Sequence, residues 1–341
     1  MYKSQKPSLF LLLTALLLLT IVLNIALGQV SIPIKAIVKG AFGLHSEKET
    51  WDYIIIHFRI PKAITAILVG IALSIAGLLM QTLFRNPLAG PDVLGLSSGS
   101  SLGVAFAILG AGMLPSFLSQ IFLSSIGIIL ASCAGSLLIL LLVLITSKKL
   151  HDSSTILIVG LLFSSFSGAI ISVLTYFSTA QELQKFMFWS LGSLGNLSTK
   201  NSILLFICVC IGLLLAVLSL KSLDGLLLGE NYAKSAGTNI KKSRQIIILS
   251  ASILVGSTTA FVGPIAFVGL AVPHIAKLIF QTSNHKTLFL GALLLGAILM
   301  LVCDTISQMP GFNFTLPINA ITSIFGAPMV IWLILNKKKL G

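Results

Sequence analysis

The sequence predicts an all-α polytopic membrane protein with about ten transmembrane helices and both termini in the cytoplasm. Of its 341 residues, 56% are hydrophobic and only 9% are charged, and the mean hydropathy is +1.06. A soluble domain carries roughly 25% charged residues, so this chain lacks the polar side chains that would cover a water-facing surface. Apolar runs of transmembrane length recur along the chain, and the basic residues between them are unevenly distributed.

Ten apolar runs, bounded by charges or by Pro and Gly, define the predicted spans within one transmembrane domain, residues 1–341. They are 9–27, 63–83, 98–114, 121–145, 156–177, 203–220, 246–262, 266–280, 288–307 and 318–335. The first run also has the features of a cleaved signal, because Lys3 and Lys6 precede it and Ala26-Leu27-Gly28 follows it. Its length favours a membrane span.

The basic residues predict the orientation. Ten spans place both ends of the chain on the same side of the membrane. With the N-terminus inside, 15 of the 22 Lys and Arg residues fall on the cytoplasmic side and 7 on the other. Because basic residues collect in cytoplasmic loops, both termini are predicted to be cytoplasmic, and the net charge of +13 reports orientation rather than nucleic-acid binding.

Two short segments suggest an inverted internal repeat. Gly90-Pro91 opens the third span from the inside, and Gly263-Pro264 opens the eighth span from the outside. Inverted-topology repeats are common in membrane transporters, although a single short match is also compatible with coincidence. Glycine and alanine at small-xxx-small spacing in the third and fourth spans predict close helix packing there.

Few ionisable groups lie inside the predicted spans, and Asp304 is the one acidic residue among them. We interpret Asp304 as a structural bonding group near the outer interface, and His274 in the same way; a transport role for either stays open. The sequence contains no phosphate-binding loop and no H-E-x-x-H pair. We therefore expect no catalytic residues and no metal site in this chain, and an energy source on a partner protein.

The longest cytoplasmic loop, Lys221 to Arg244, combines a short apolar patch, a Gly229-Glu230 pair, a helical segment and a basic run. Two short helices at about 221–242, interrupted by glycine, are typical of a surface that binds another protein. An amphipathic helix lying on lipid headgroups is the alternative.

Five segments now show a family resemblance: Phe58–Gly103, Phe188–Asn196, Leu226–Gly237, Gly263–Ile279 and Leu316–Ile334. Taken in order, they resemble the permease subunits of ABC importers for iron-siderophores, haem and vitamin B12. The resemblance implies the type II ABC importer permease fold, with ten helices per subunit and a homodimer that encloses the translocation path. It also implies that two ABC ATPase subunits hydrolyse ATP and that a periplasmic or lipoprotein substrate-binding protein delivers the cargo.

The resemblance also assigns sites to individual residues. It implies coupling helices that contact the ATPase, binding-protein docking at Arg59 and Lys62 on the outer rim, and a cytoplasmic gate at Ser153 and Ser154. An ordinary helix cap begun by Asp152 explains the two serines equally well. The implied coupling residues are Leu223, Leu226, Gly229, Glu230, Ala236 and Gly237.

These observations predict a multi-pass permease of the bacterial inner membrane that imports an iron chelate, either a siderophore or haem, and binds no cofactor itself. Vitamin B12 import is the alternative, weakened slightly because Gln308 stands where the B12 importers carry a further rim arginine. A self-contained ion-coupled carrier and an integral membrane enzyme are the alternatives from other classes. We expect membrane lipid, but no nucleic acid, among the partners.

Overall fold

The computed structural model describes residues 7–28, 30, 32–33, 37, 48–113, 115–149, 153–195, 197–308 and 315–335. The described residues form fourteen α-helices and no β-strand. In chain order the helices are α1 Pro7–Ala26, α2 Glu49–Ile54, α3 Ile60–Leu83, α4 Leu96–Ile108, α5 Ser116–Leu123, α6 Ser125–Lys149, α7 Ser153–Phe177, α8 Ala180–Ser190, α9 Thr199–Leu228, α10 Glu230–Ser235, α11 Ile240–Val262, α12 Val268–Phe280, α13 His285–Ser307 and α14 Ile318–Leu335. A π-helical turn, Ile55–Arg59, makes α2 and α3 continuous, and a 3-10 turn, Pro91–Leu94, precedes α4.

The all-helical membrane fold is confirmed. Seven helical stretches of the described chain are long and apolar enough to cross a membrane, and three shorter apolar helices, α4, α12 and α14, bring the number to ten. Each of the ten predicted spans overlaps one of these helices. The side of the membrane on which the termini lie stays a prediction. Helix α1 packs on α13, which supports a retained membrane span for the first apolar run.

The predicted end of the sixth span is wrong. Helix α9 does not stop at residue 220 but continues as one 30-residue helix to Leu228. The residues from Lys221 to Leu228 contain no proline, and their single glycine, Gly225, is tolerated because it lies against Ala233 of α10. The first of the two predicted coupling helices is therefore the end of a membrane helix.

Helix α3 is the central element of the fold, and most of its side chains are buried. It contacts α13, α11, α12 and α9. Glycines permit the closest of these contacts: a Cβ atom on Gly70 would lie 2.2 Å from the carbonyl oxygen of Gly296 in α13. Lipid tails are as apolar as leucine, so membrane helices associate through close backbone approach of this kind.

The closest contact joins α3 to α12. A Cβ atom on Gly77 would lie 1.6 Å from the carbonyl oxygen of Gly269. In a regular helix that oxygen would accept a hydrogen bond from the backbone of residue 273, but Pro273 has no N–H to donate. The freed carbonyl faces Gly77, where a Cα–H group is a weak donor. Pro273 and Gly77 are therefore complementary, one on each helix.

The predicted packing glycines of the third and fourth spans are confirmed as close contacts. A Cβ atom on Gly103 of α4 would lie 2.0 Å from the carbonyl oxygen of Ala131 in α6. A Cβ atom on Gly135 of α6 would lie 2.0 Å from the carbonyl oxygen of Gly99. The small residues of the two helices therefore face each other.

Helices α4 and α12 are short and begin beside the middle part of α3. Each has 13 residues and is about 20 Å long, shorter than the hydrocarbon thickness of about 30 Å. Pro91, before α4, contacts Gly269 at the start of α12, and Gly269 lies level with Leu73 and Gly77 of α3. Those two positions are about 15 and 9 Å along the helix from its end at Leu83. The chain segments that follow the two Gly-Pro turns therefore meet beside α3, while the inverted repeat itself stays a prediction.

We expect Gly77→Ala to destabilise the protein by about 1–3 kcal/mol, because the added methyl group displaces α12 from α3. Gly168→Ala in α7 is the matched control, since a Cβ atom there would meet no atom within 4 Å. Thermal unfolding of the detergent-purified chain measures both. Equal midpoints for the two variants would contradict the proposed packing.

Candidate coupling surface and outer ion-pair cluster

Gly229 interrupts the chain between α9 and α10. Its backbone angles, φ 122° and ψ 148°, belong to a region that is open almost only to glycine. A Cβ atom at this position would meet nothing within 4 Å, so glycine is required by the backbone conformation and not by space. Gly237, with φ 80°, ends the short helix that follows. The structure therefore confirms glycine breaks on both sides of α10.

An ion pair fixes α10 to α11. The Glu230 carboxylate lies 3.0 Å from the Arg244 guanidinium, measured from Oε1 to Nη2. The Arg244 side chain is 9% exposed and that of Glu230 is 34% exposed. The predicted coupling residue Glu230 therefore positions α10 within its own chain, whatever it contacts outside. The predicted Ala236 and Gly237 lie on the exposed surface.

Leu223 and Leu226 do not lie on this surface. Both are buried in the main hydrophobic core, 0% and 5% exposed, because positions three residues apart share one face of α9 and that face is turned inward. They hold the helix end in place and do not face a partner. The large apolar side chains exposed here are Leu227, Leu228 and Tyr232.

Asp224 joins this surface to the membrane helices. Its Oδ1 atom accepts the backbone N–H of His285 at 3.0 Å and lies 2.6 Å from the Nδ1 atom of the same residue. The other ring nitrogen of His285, which is fully buried, is 2.9 Å from the hydroxyl of Thr82 near the end of α3. A carboxylate at the first turn of α13 also interacts favourably with the helix dipole.

A further hydrogen bond connects the end of α9 to the end of α3. The Nε atom of Arg85, just after α3, donates to the Leu226 carbonyl at 3.0 Å. The end of α9 is thus bound to α3 directly and through α13. Sequence reasoning missed Asp224, His285, Thr82 and Arg85, because partners this far apart in the chain leave no local pattern. The one available sign was Asn284, which caps α13 and marks where that helix starts.

At the opposite end of the helices, Asp304 is the centre of a polar cluster. Its Oδ1 atom pairs with the Lys62 ammonium at 3.1 Å, while its Oδ2 atom accepts hydrogen bonds from Asn24 at 3.0 Å and Gln308 at 2.7 Å. Asn24 also donates to the Thr305 hydroxyl at 3.0 Å. Asp304 is 1% exposed and joins α1, α3 and α13, which supports the structural interpretation.

His274 is half-buried in α12, and its role stays open.

Arg59 is also engaged inside the chain. Its guanidinium donates to the carbonyls of Ile25 and Ala26 at the end of α1, and to that of Val30. These bonds satisfy backbone acceptors that the end of a helix leaves free. Arg59 is 8% exposed, and the Lys62 side chain is 18% exposed. In this structure neither predicted docking residue presents a free charge to a partner.

The predicted gate lies at the edge of the described chain. Ser153 and Ser154 are the first two residues of α7. Asp152, which the helix-cap alternative invokes, lies outside the described residues. Both the gate and the cap therefore stay predictions.

The apolar helices packed on α3 define a polytopic membrane protein. Among the described residues, no group of three or more His, Cys, Asp or Glu side chains could hold a metal ion. The model of the FecCD transport family matches residues 16–336. This chain belongs to the FecCD transport family.

Two curated relatives and one solved structure show how far the similarity extends. The hemin transport system permease protein HmuU of Yersinia pestis is 33% identical over 335 residues, which cover 96% of each chain. The vitamin B12 import system permease protein BtuC of Citrobacter koseri is 32% identical over 329 residues, 96% of this chain and 94% of that one. A metal-chelate type ABC transporter in an inward-facing conformation matches with a TM-score of 0.84 and 28% identity, covering 97% of this chain and 99% of its own.

The Lys62–Asp304 pair should behave as a buried ion pair. We expect Asp304→Asn alone to cost about 3–5 kcal/mol of stability, because it leaves the Lys62 charge without its partner. The double variant with Lys62→Met should lose less than the sum of the two single variants. Thermal unfolding of the four proteins measures this coupling, with Lys185→Met on exposed α8 as the control. Additive losses would contradict the pair.

Proposed function

We propose that this chain is the permease subunit of an ABC importer and that it carries an iron chelate, either a siderophore or haem, across the bacterial inner membrane. Its similarity to a hemin permease and to a metal-chelate transporter over 96% or more of the chain carries this proposal. The chain provides the membrane passage, and two separate ATPase subunits hydrolyse ATP. Two copies of the chain enclose the path between them.

The cytoplasmic geometry supports ATPase coupling. The end of α9, Gly229 and α10 form a surface with exposed Leu227, Leu228 and Tyr232, which an ATPase subunit can contact. A displacement of this surface would reach α13 through Asp224 and His285, and α3 through Thr82 and Arg85. Because α3 packs against several other helices, tilting it would change the arrangement of the whole membrane domain. In this proposal, movement of the ATPase reaches the membrane helices through hydrogen bonds between helices and requires no flexible linker.

The outer face is the proposed docking site of the substrate-binding protein. The resemblance assigns this role to Arg59 and Lys62, but their engagement within the chain suggests that they shape the rim and do not form its free charges. Changing both to glutamate would then unfold the outer ends of α1 and α3 as well as weaken docking. Loss of docking in that variant would be evidence for a direct contact only if the thermal stability were unchanged.

The similarity to a vitamin B12 permease makes cobalamin the second candidate cargo. Gln308, at the position of the B12 importers' rim arginine, bonds to Asp304 and does not project from the rim as a free cation. The cargo is decided by ATP-driven uptake into proteoliposomes that contain the permease, its ATPase and its binding protein. We expect uptake of a ⁵⁵Fe-chelate or of haemin to exceed that of ⁵⁷Co-cobalamin. The opposite order would establish the B12 alternative.

The same proteoliposomes test the energy source. We expect no accumulation without ATP or without the ATPase subunits, because the chain has no nucleotide-binding loop of its own. Accumulation driven by a proton or sodium gradient through the permease alone would instead establish an ion-coupled carrier. Turnover of a substrate without transport would indicate a membrane enzyme.

We expect Gly229→Ala to reduce ATP-driven uptake several-fold, because a side chain at φ 122° strains the backbone by about 1–3 kcal/mol and moves α10. Gly225→Ala is the matched control: that glycine is in helical conformation, and its Cβ would make ordinary contact at 3.4 Å. Uptake and co-purification of the ATPase are measured in both variants. Normal uptake by Gly229→Ala would argue against a coupling role for this surface.

A further inference from the structure

A cavity of about 370 Å³ lies between the two Gly-Pro turns. Its polar lining consists of Asp92, Ser97, Ser98 and Ser101 at the start of α4, Ser164 on α7 and Asn319 on α14. The backbone of 264–266, just before α12, closes one side. The cavity therefore adjoins both half-length helices and two further membrane helices.

The polar groups of this cavity are held in position. The Ser97 hydroxyl donates to Oδ1 of Asp92 and orients its carboxylate. The Asn319 Oδ1 atom accepts the backbone N–H of Ala266 at 3.2 Å and so fixes the segment before α12. Ser101 lies on the same side of α4 as Ser97 and Ser98, because it is four and three positions from them, and all three line the cavity.

Asp92 lies at membrane depth. It directly follows Pro91, which contacts Gly269 at the level of Leu73 and Gly77 in α3. That level is about 9–15 Å along the helix from Leu83, where the candidate membrane span Glu49–Leu83 ends, so Asp92 lies beside the apolar part of the bundle. Asp92 is nonetheless exposed on the surface of this single chain.

An exposed carboxylate at that depth excludes one environment. A charged side chain facing lipid is costly, and intramembrane acids face the bundle interior or a water-filled cavity. Among the described residues that line the cavity, Asp92 is the only ionisable one and no cation accompanies it. A water-filled cavity on the face that carries Asp92 is the environment that fits a charged carboxylate at this position.

We propose that this cavity is a cargo-contact site in the wall of the translocation path, and that Asp92 makes it favour neutral or cationic metal chelates over polyanionic ones. The proposal rests on the proposed transport function and names its cargo class. Serine hydroxyls and an asparagine offer hydrogen bonds to the amide, hydroxamate or hydroxyl groups of such a chelate. A negative group in a low-dielectric wall repels anions and concentrates cations.

The test measures whether water reaches the cavity and whether the cavity prefers cations to anions, and it requires no cargo. Ser98→Cys and Ser101→Cys are introduced singly into the full-length chain with its four native cysteines replaced, in membrane vesicles. Each is labelled with a cationic trimethylammonium-ethyl thiosulfonate and with an anionic sulfonatoethyl thiosulfonate. Each labelling rate is divided by the rate of the same reagent with a free small thiol. We expect this normalised rate to be about tenfold higher for the cationic reagent than for the anionic one.

Asp92→Asn should make the two normalised rates nearly equal, while Asp92→Glu should retain the preference for the cationic reagent. Ser235→Cys on the exposed cytoplasmic helix α10 is the control, and its labelling should not respond to either change at Asp92. If Asp92→Asn does not reach the membrane, Asp92→Ser replaces it as the neutral variant. All variants are compared at equal amounts of inserted protein.

Two results would overturn the proposal. Failure of both reagents at both cysteines would show that the cavity is closed to water. Equal preference with and without the Asp92 charge would show that the carboxylate does not select by charge. Neither result depends on ATP, on the ATPase or on uptake, so a failure here is distinguishable from a failure of the proposed importer function.

Discussion

The contact between Gly77 and Gly269 is the constraint on which the arrangement of the membrane domain depends. It brings the backbone of α12 against α3 at a depth where no hydrophobic force distinguishes protein from lipid. Pro91 packs on the same glycine, so the start of α4 is placed by the start of α12. One close backbone contact therefore positions both half-length helices and the polar cavity beside them.

The two ends of the helices are held by polar groups in different ways. At the end that carries α10, Asp224 and His285 connect three membrane helices next to an exposed surface. At the opposite end, Asp304 bonds to Lys62, Asn24 and Gln308 in one buried cluster. The first arrangement is partly open to a partner, since the Asp224 side chain is 42% exposed, whereas the second is closed.

The buried cluster around Asp304 affects how the nearby basic residues Arg59 and Lys62 are interpreted. Arg59 and Lys62 match a docking pattern, yet each has a strong partner within the chain. A lysine or arginine close to the end of a membrane helix has two uses, to bind a partner protein or to satisfy helix carbonyls and buried acids. The sequence pattern is the same in both cases, and only the positions of Ala26 and Asp304 distinguish them.

The sequence by itself determined the helical membrane class, the ten spans and the family, because hydrophobic length and long motifs are local properties of the chain. It also located the glycine breaks around α10, since glycine is favoured where the backbone takes a positive φ, as at Gly229 and Gly237. It could not show that α9 continues to Leu228, that Leu223 and Leu226 face the core, or that Asp224 reaches His285. Only the tertiary structure decided these points, because burial and hydrogen bonding between residues more than sixty positions apart depend on how the helices pack.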